Sequence, residues 1–550
     1  MISTPVLICG GGPVGLTLSI ALSSFGIQSI VVNDRFTTTD HPKLDVVNSR
    51  TMEIYRRLGL SEKIRDAGNP RGANQFVAFA ARVCGPFFTV FSDRHPVYQS
   101  VIKGQKIIQA CRDGSLPLEP MQRIPQMYLE PVLLEHAKKD PNITLRFGCR
   151  LIGFEQDDTG VTSFIREIDT ERGEHVRSSF LAGCDGPRSM VRNFLNIDYS
   201  GHRDLLGELY IIHIQSDELK EFFPNKEPYW HTWIAQPNLS GLIVSPCASK
   251  NDYVIHLPYP PEQGTNVRDL IDRLIGESID YRIIQSGPWR PQFLVAGEFG
   301  RKRVFFAGDA THQYMPTGGL GMNTGITEAY DLAWKLSGVL QGWGGANLLS
   351  SYDAERRPVA HRNRESVKRC AAAAFEVQFN KTEKLLDQTP EGERERKQLA
   401  IDFEKKVSRM YESLGVEIGY RYNGSPIIIQ EEGQEPPCDL RHYSPTSWPG
   451  ARLPSFFLET GKALYDSLGR YFTLIVLNGE ENDSASMRKA AEKAGVPLSV
   501  LCVDEPYIRD VLEKKFILVR PDQHVCWRGN TMPTDCTPII DTVRGEMINP

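Results

Sequence analysis

The chain has 550 residues, 41% hydrophobic and 9% aromatic, enough apolar surface to bury more than one core, which excludes disordered, collagen-like and low-complexity classes. Its 63 Lys and Arg against 68 Asp and Glu give a formal net charge of -5 with no long basic run, which argues against nucleic-acid binding as a main function. The 11 cysteines form no C-x-x-C pair and no Cys/His cluster, so no metal site is expected, and no run reaches the roughly 18 apolar residues of a membrane span. A soluble cytoplasmic protein with ordinary buried thiols, away from membranes, is expected.

The first predicted element is a strand over residues 6–9. It runs into the turn Gly10-Gly11-Gly12-Pro13-Val14-Gly15, which opens a helix ending near Gly26. Strand, glycine turn and helix in this order predict a dinucleotide site. The glycines let the backbone turn and approach a pyrophosphate at the positive helix end. The next strand, 29–32, should end in an acid for the ribose hydroxyls. Asn33 stands there with Asp34 behind it, so either the amide or a one-residue shift serves the ribose.

Residues 75–120 and 196–285 are expected to shape a substrate pocket. Around 210–213 and 229–233 the pattern alternates like a sheet, which makes Tyr210, His213, Trp230 and Trp233 candidate walls. A strand near 304–307 ends in Gly308-Asp309, and the glycine-dense stretch through Gly325 leads into a helix with Ile326, Ala329, Ala333, Leu336 and Leu340 on its apolar face. A carboxylate at a strand end and free N–H groups at a helix start suit sugar hydroxyls and a negative centre, so one ligand can be gripped by both motifs. Residues 355–420 turn Glu-, Lys-, Arg- and Ala-rich, and 430–437 form a polar linker. Beyond it, strands at 471–477 and 498–503, a helix at 484–494 and a hairpin around Asp522 predict a small α/β domain.

Gly10-x-Gly12-x-x-Gly15, then Asp185-Gly186 with Arg188 and Arg192, then Gly308-Asp309-Ala-x-His312-x-x-x-Pro316-x-x-Gly-x-Gly321-Met322-Asn323 resemble, in order and spacing, the signatures of the class A flavoprotein aromatic hydroxylases. The chain is most similar to the phenol hydroxylase and 2,4-dichlorophenol hydroxylase branch. That resemblance implies a mixed α/β and α+β architecture: a Rossmann-like FAD-binding domain (1–195 and 286–360), an inserted β-sheet substrate domain (196–285), a helical connector (361–435) and a thioredoxin-like domain without C-x-x-C (440–550). It places the FAD pyrophosphate on Gly10, Gly12, Pro13, Val14 and Gly15, and the ribitol at Asp309. The flavin pyrimidine edge falls on the backbone of Gly318, Gly319, Leu320, Gly321, Met322 and Asn323, while Arg50, Gln126 and Asp185 supply further cofactor contacts. NADPH or NADH would dock transiently.

The implied reaction is hydroxylation of a phenolic ring by O2 through a flavin C4a-hydroperoxide. Asp45 is the candidate base and Pro316 lines the reacting side, with His312 a packing residue. The lack of a basic cluster in the pocket region favours a neutral or halogenated phenol. A fused-ring polyketide is the alternative substrate, and a flavin reductase or ligand-binding module the alternative of another class. A homodimer or larger homo-oligomer is expected.

Overall fold

The computed structural model describes residues 2–43, 45–91, 99–379 and 381–546. Its first sheet is built on the strand Ile2–Cys9, whose last four residues are buried on both faces, as a central parallel strand requires. Gly173–Gly183 and Ser29–Asn33 flank it in parallel, with Val304–Phe306 and Ile143–Phe147 outside them. The helix Pro13–Ser24 starts at a proline, which its lack of an N–H suits. Val14 then fixes how the two glycine motifs meet: a Cβ on Gly308 or Gly325 would lie 2.9 or 2.7 Å from its Cγ2. Only glycine at both positions lets the first helix pack onto the helix Leu320–Leu340.

That second helix departs from the single apolar face expected of it. Nearly every residue from Asn323 to Gly338 is buried, because the helix runs between Pro13–Ser24, the long helix Ser350–Phe379 and the C-terminal domain, where Trp334 meets Phe472 at 6.1 Å.

The second sheet orders its strands as Arg282–Trp289, Leu209–Gln215, Asp252–Leu257, Leu239–Cys247, His231–Gln236, Val77–Ala80 and Phe87–Phe91. Two strands of the 75–120 stretch, Val77–Ala80 and Phe87–Phe91, therefore enter it, the first parallel to His231–Gln236. Residues 92–98 of the stretch expected to help shape the pocket lie outside the described residues. Two of the expected boundaries are crossed by single elements, 285 by the strand Arg282–Trp289 and 360 by the helix Ser350–Phe379.

The C-terminal sheet has the order Leu498–Val503, Phe472–Leu477, Phe516–Val519 and Val525–Gly529, with only the first pair parallel. With the helices Ala485–Lys493 and Thr537–Val543 this is the thioredoxin-like arrangement, and the hairpin turns at Asp522 as expected. All 11 thiols are unpaired, six of them buried. Among the described residues no helix is long and apolar enough to cross a membrane, and no group of His, Cys, Asp and Glu could hold a metal ion.

Candidate active site

A cavity of about 510 Å³ lies between the first two sheets and the long helix Ser350–Phe379. One end is framed by Asp309, by Pro316, Gly318, Gly319, Gly321 and Met322 at the start of Leu320–Leu340, and by Gln126. No side chain caps that helix start, so its first N–H groups remain available to a ligand. Gly318 and Gly319 have φ of 77° and 64°, the left-handed region glycine enters without penalty. Leu320 is buried behind them. Asn323 pins the opposite wall: its Nδ2 donates to the Val46 and Gly319 carbonyls, and its Oδ1 accepts from the Asn48 N–H at 3.0 Å.

Asp309 is exposed into the cavity, and the protein crowded around it strips enough water to raise its carboxyl above the ordinary range against the pull of His312 and Lys43. Glu328 sets its turn from behind, accepting from the Gly308 N–H at 2.8 Å and the Thr311 hydroxyl at 3.0 Å. His312 is fully buried and stacked 4.4 Å from Tyr314. In the glycine turn, a Cβ on Gly10 would fall 2.1 Å from the Cys184 carbonyl oxygen and one on Gly15 would fall 1.9 Å from that of Gly10. At Gly12 the nearest atom is 3.9 Å away. A closed turn with one open face, a carboxylate in the cavity and uncapped N–H groups fit a flavin dinucleotide.

Several expected contacts are placed differently. Asn33 Oδ1 accepts from the Gly11 N–H at 3.1 Å and so braces the glycine turn, while Asp34 is exposed and 3.7 Å from Arg150. Arg50 points away from the cavity, and its buried guanidinium donates to Glu53, to Gln523 and to the Asp522 carbonyl. Asp185 caps the short helix Met190–Phe194 by accepting from the Met190 and Val191 N–H groups, and burial raises its carboxyl. Arg192, from the second signature, lies 3.9 Å over the Tyr199 ring, whose hydroxyl donates to the Asp309 carbonyl. It therefore supports the Asp309 turn from behind, and Arg188 is exposed.

The other end of the cavity is aromatic. Trp230 and Trp233 line it, but Tyr210 and His213 do not. Alternation along Leu209–Gln215 aims Leu209 and Ile211 inward and sends Tyr210 to the opposite face with Ile212 and Ile214, while His213 sits farther along, 3.1 Å from Asp252. None of the described residues of 75–120 lines the cavity. The connector does, through Ala374, Gln378, Met410, Tyr411 and Glu417. Phe403 docks its helix Pro390–Val407 by stacking on Phe79 at 4.5 Å.

Asp45 also lies in this wall and accepts from Trp230 Nε1 at 2.5 Å, with His231 Nε2 3.7 Å away. Burial pushes its carboxyl up, but His231, Trp230 and Arg123 outweigh that and hold it below the ordinary range, so it is an anion at neutral pH. Burial lowers His231, and lowers His256 two strands along the same sheet to about 4, so both imidazoles are neutral. His231 and Tyr411 were not singled out by the sequence. His231 stands between two named tryptophans, and Met410-Tyr411 is an apolar break in a charged helical stretch.

Known proteins share the whole layout. The family described as FAD binding domain matches residues 3–366, and the family described as aromatic-ring hydroxylase, C-terminal, matches 446–545. The FAD-dependent monooxygenase apdD of Emericella nidulans is 31% identical, over 96% of this chain and 88% of its own length. The 2,4-dichlorophenol 6-monooxygenase of Delftia acidovorans is 28% identical over 96% and 95%. Among solved structures, RebC soaked with chromopyrrolic acid and holding 7-carboxy-K252c superposes with a TM-score of 0.89 at 30% identity, over 99% of this chain and 100% of that one. The chain belongs to the class A FAD-dependent aromatic-ring hydroxylases, with FAD as its cofactor.

Proposed function

We propose that this enzyme hydroxylates a phenolic ring that is part of a larger, multi-ring substrate, with NAD(P)H and O2 as co-substrates, in the cytoplasm. The observation that carries the proposal is the single cavity joining Asp309 and the glycine-rich helix start to the Trp230, Trp233 and Tyr411 wall around Asp45. Its volume of about 510 Å³, within the roughly 300–1,000 Å³ of sites for drug-sized ligands, is shared between the flavin ring and the substrate. Leu257, Pro258 and Trp289 extend it beyond the ring-sized space beside Trp230. RebC, similar over its whole length, is named for holding 7-carboxy-K252c.

In this reading Gly10, Gly12 and Gly15 hold the FAD pyrophosphate, Asp309 the ribitol, and the backbone from Gly318 to Met322 the pyrimidine edge, with Gln126 beside it. When bound, FAD would carry electrons from NAD(P)H to O2 and pass one atom of that O2 to the ring. The N–H groups of the helix start favour negative charge on the pyrimidine edge. Trp230 and Trp233 orient the ring and exclude water from it. Because Asp45 is held as an anion, it is a weak proton acceptor by itself. Its charge favours departure of the substrate's hydroxyl proton toward its neighbours, which sends electron density to the ring carbons.

A panel of one-ring and fused-ring phenols, scored for NAD(P)H oxidation with product identification, should show coupled hydroxylation mainly with the fused-ring members. A strict preference for one-ring phenols would overturn the size argument. Asp45→Ala should slow hydroxylation by about a hundredfold and divert reducing equivalents to hydrogen peroxide while FAD stays bound. Unchanged coupling would remove Asp45 from the reaction.

A further inference from the structure

Tyr411 reaches the cavity from the segment after the helix Pro390–Val407, and its oxygen makes two hydrogen bonds there. It accepts from Trp233 Nε1 at 3.1 Å and is hydrogen-bonded to His231 Nδ1. A phenolic oxygen has one proton to give and two lone pairs to receive with. Indole can only donate, so Trp233 occupies one lone pair. The direction of the bond to His231 follows from the far side of the imidazole, where Nε2 faces the Asp45 carboxylate at 3.7 Å. An anion there favours a proton on Nε2, which leaves Nδ1 as acceptor and Tyr411 as donor. One lone pair of Tyr411 remains for a ligand in the cavity.

We infer that Tyr411, His231 and Asp45 form a proton relay in which Tyr411 takes the hydroxyl proton of the bound ring and passes its own to His231. The inference rests on the proposed binding of a hydroxylated ring in this cavity. The substrate O–H bond breaks as a new O–H forms on Tyr411, and the former Tyr411 proton becomes the Nδ1–H of an imidazolium facing Asp45. The electron pair of the broken bond moves into the ring, toward the carbon that receives oxygen. No oxidant or reductant enters the step. The proton returns by the same path when the oxygenated ring regains its aromaticity.

The surroundings suit each part. Burial pushes the Tyr411 hydroxyl far above its ordinary range, so it releases a proton only as another arrives. His231 is neutral and ready to accept. The other charged or titratable groups facing the pair are Arg123, whose guanidinium lies 5.5 Å from the Trp230 ring, neutral His256, and Cys370 beside Tyr411. Asp45 is a positioning residue for His231, whereas Tyr411 touches the substrate.

The test uses the holoenzyme with 4-nitrophenol, whose ionised form has its own absorption band, read by difference absorbance at a pH where the free phenol is mostly neutral. Binding to the wild type should raise the nitrophenolate band. Tyr411→Phe should bind within threefold as well without raising it, and His231→Gln should lose it too. In turnover of a naphthol the wild type accepts, Tyr411→Phe should lower kcat about a hundredfold with KM nearly unchanged. It should also abolish the acid limb of the wild type, in which activity is lost as pH falls through the His231 pKa, below about 6.5. A nitro-substituted naphthol already ionised in solution should largely rescue the variant. The same band and pH profile in wild type and variant, or equal loss with both naphthols, would overturn the relay alone. A wild type that neither binds 4-nitrophenol nor hydroxylates any phenol would overturn the reading of the cavity, and the relay with it.

Discussion

Glu53→Ala is expected to destabilise the protein by about 3–5 kcal/mol, the cost of breaking a buried ion pair by removing one partner. Glu53 lies on the helix Ser49–Arg57 with its carboxylate fully buried. One oxygen accepts from the Leu118 N–H and from Arg452, the other from Arg50 at 3.0 Å and Arg452 at 2.9 Å. Arg452 belongs to the C-terminal domain, so a single carboxylate ties that domain to the FAD-binding domain, and its loss leaves two guanidinium groups buried without it. Burial alone would raise the Glu53 carboxyl, but Arg452 and Arg50 outweigh that and hold it below the ordinary value. The sign of the pH dependence follows. The stabilisation is fully present above the unfolded-chain value of about 4.3 and fades as pH falls through the lower folded value. Denaturant titrations of wild type and variant should therefore converge in acid. As a comparison, Glu391→Ala, which removes an exposed pair with Arg394, should change stability by under about 1 kcal/mol. A cost for Glu53→Ala no larger than that would mean that the domain contact rests on apolar packing alone.

The same interface shows what sequence can and cannot carry. The glycine turn, Asp309 and the thioredoxin-like strand order were legible because each is a local pattern in which spacing dictates geometry. Arg50 was misplaced because its neighbours in sequence resemble a cofactor contact, while its partners Asp522 and Gln523 lie more than 470 residues away. No local signal marks such a pair. Asn33 likewise kept the place of a ribose-binding acid but not its partner, since the amide could reach back to Gly11. Tyr210 failed for a different reason: alternation gives two faces, and only the packed sheet says which one meets the cavity. Tyr411 was missed because its stretch is read from the charged helix before it. What brings it to the wall is the stacking of Phe403 on Phe79 across 324 residues, which the pattern of either segment does not contain.

The two most informative glycines should separate cofactor binding from folding. Gly15→Ala places a Cβ 1.9 Å from a backbone oxygen of Gly10, so the turn itself must move. Overpacking of this kind costs about 1–3 kcal/mol, and the loss should appear in the melting of the cofactor-free protein as well as in FAD retention. Gly12 differs in every respect that matters to the chain alone: its φ is -79°, open to any residue, and the nearest atom to an added Cβ is 3.9 Å away. Gly12→Ala should therefore leave the melting of the cofactor-free protein unchanged, because nothing in the polypeptide objects to a methyl group there. If the open face of the turn is where the pyrophosphate lies against the backbone, the same methyl group should weaken FAD binding by roughly ten- to hundredfold, the effect of about 1–3 kcal/mol of steric conflict. Titration of both stripped variants with FAD, followed by flavin fluorescence, reads the difference directly. Tight FAD binding by Gly12→Ala would place the pyrophosphate elsewhere, and equal destabilisation of the two cofactor-free proteins would show that the turn's glycines answer to folding rather than to the cofactor.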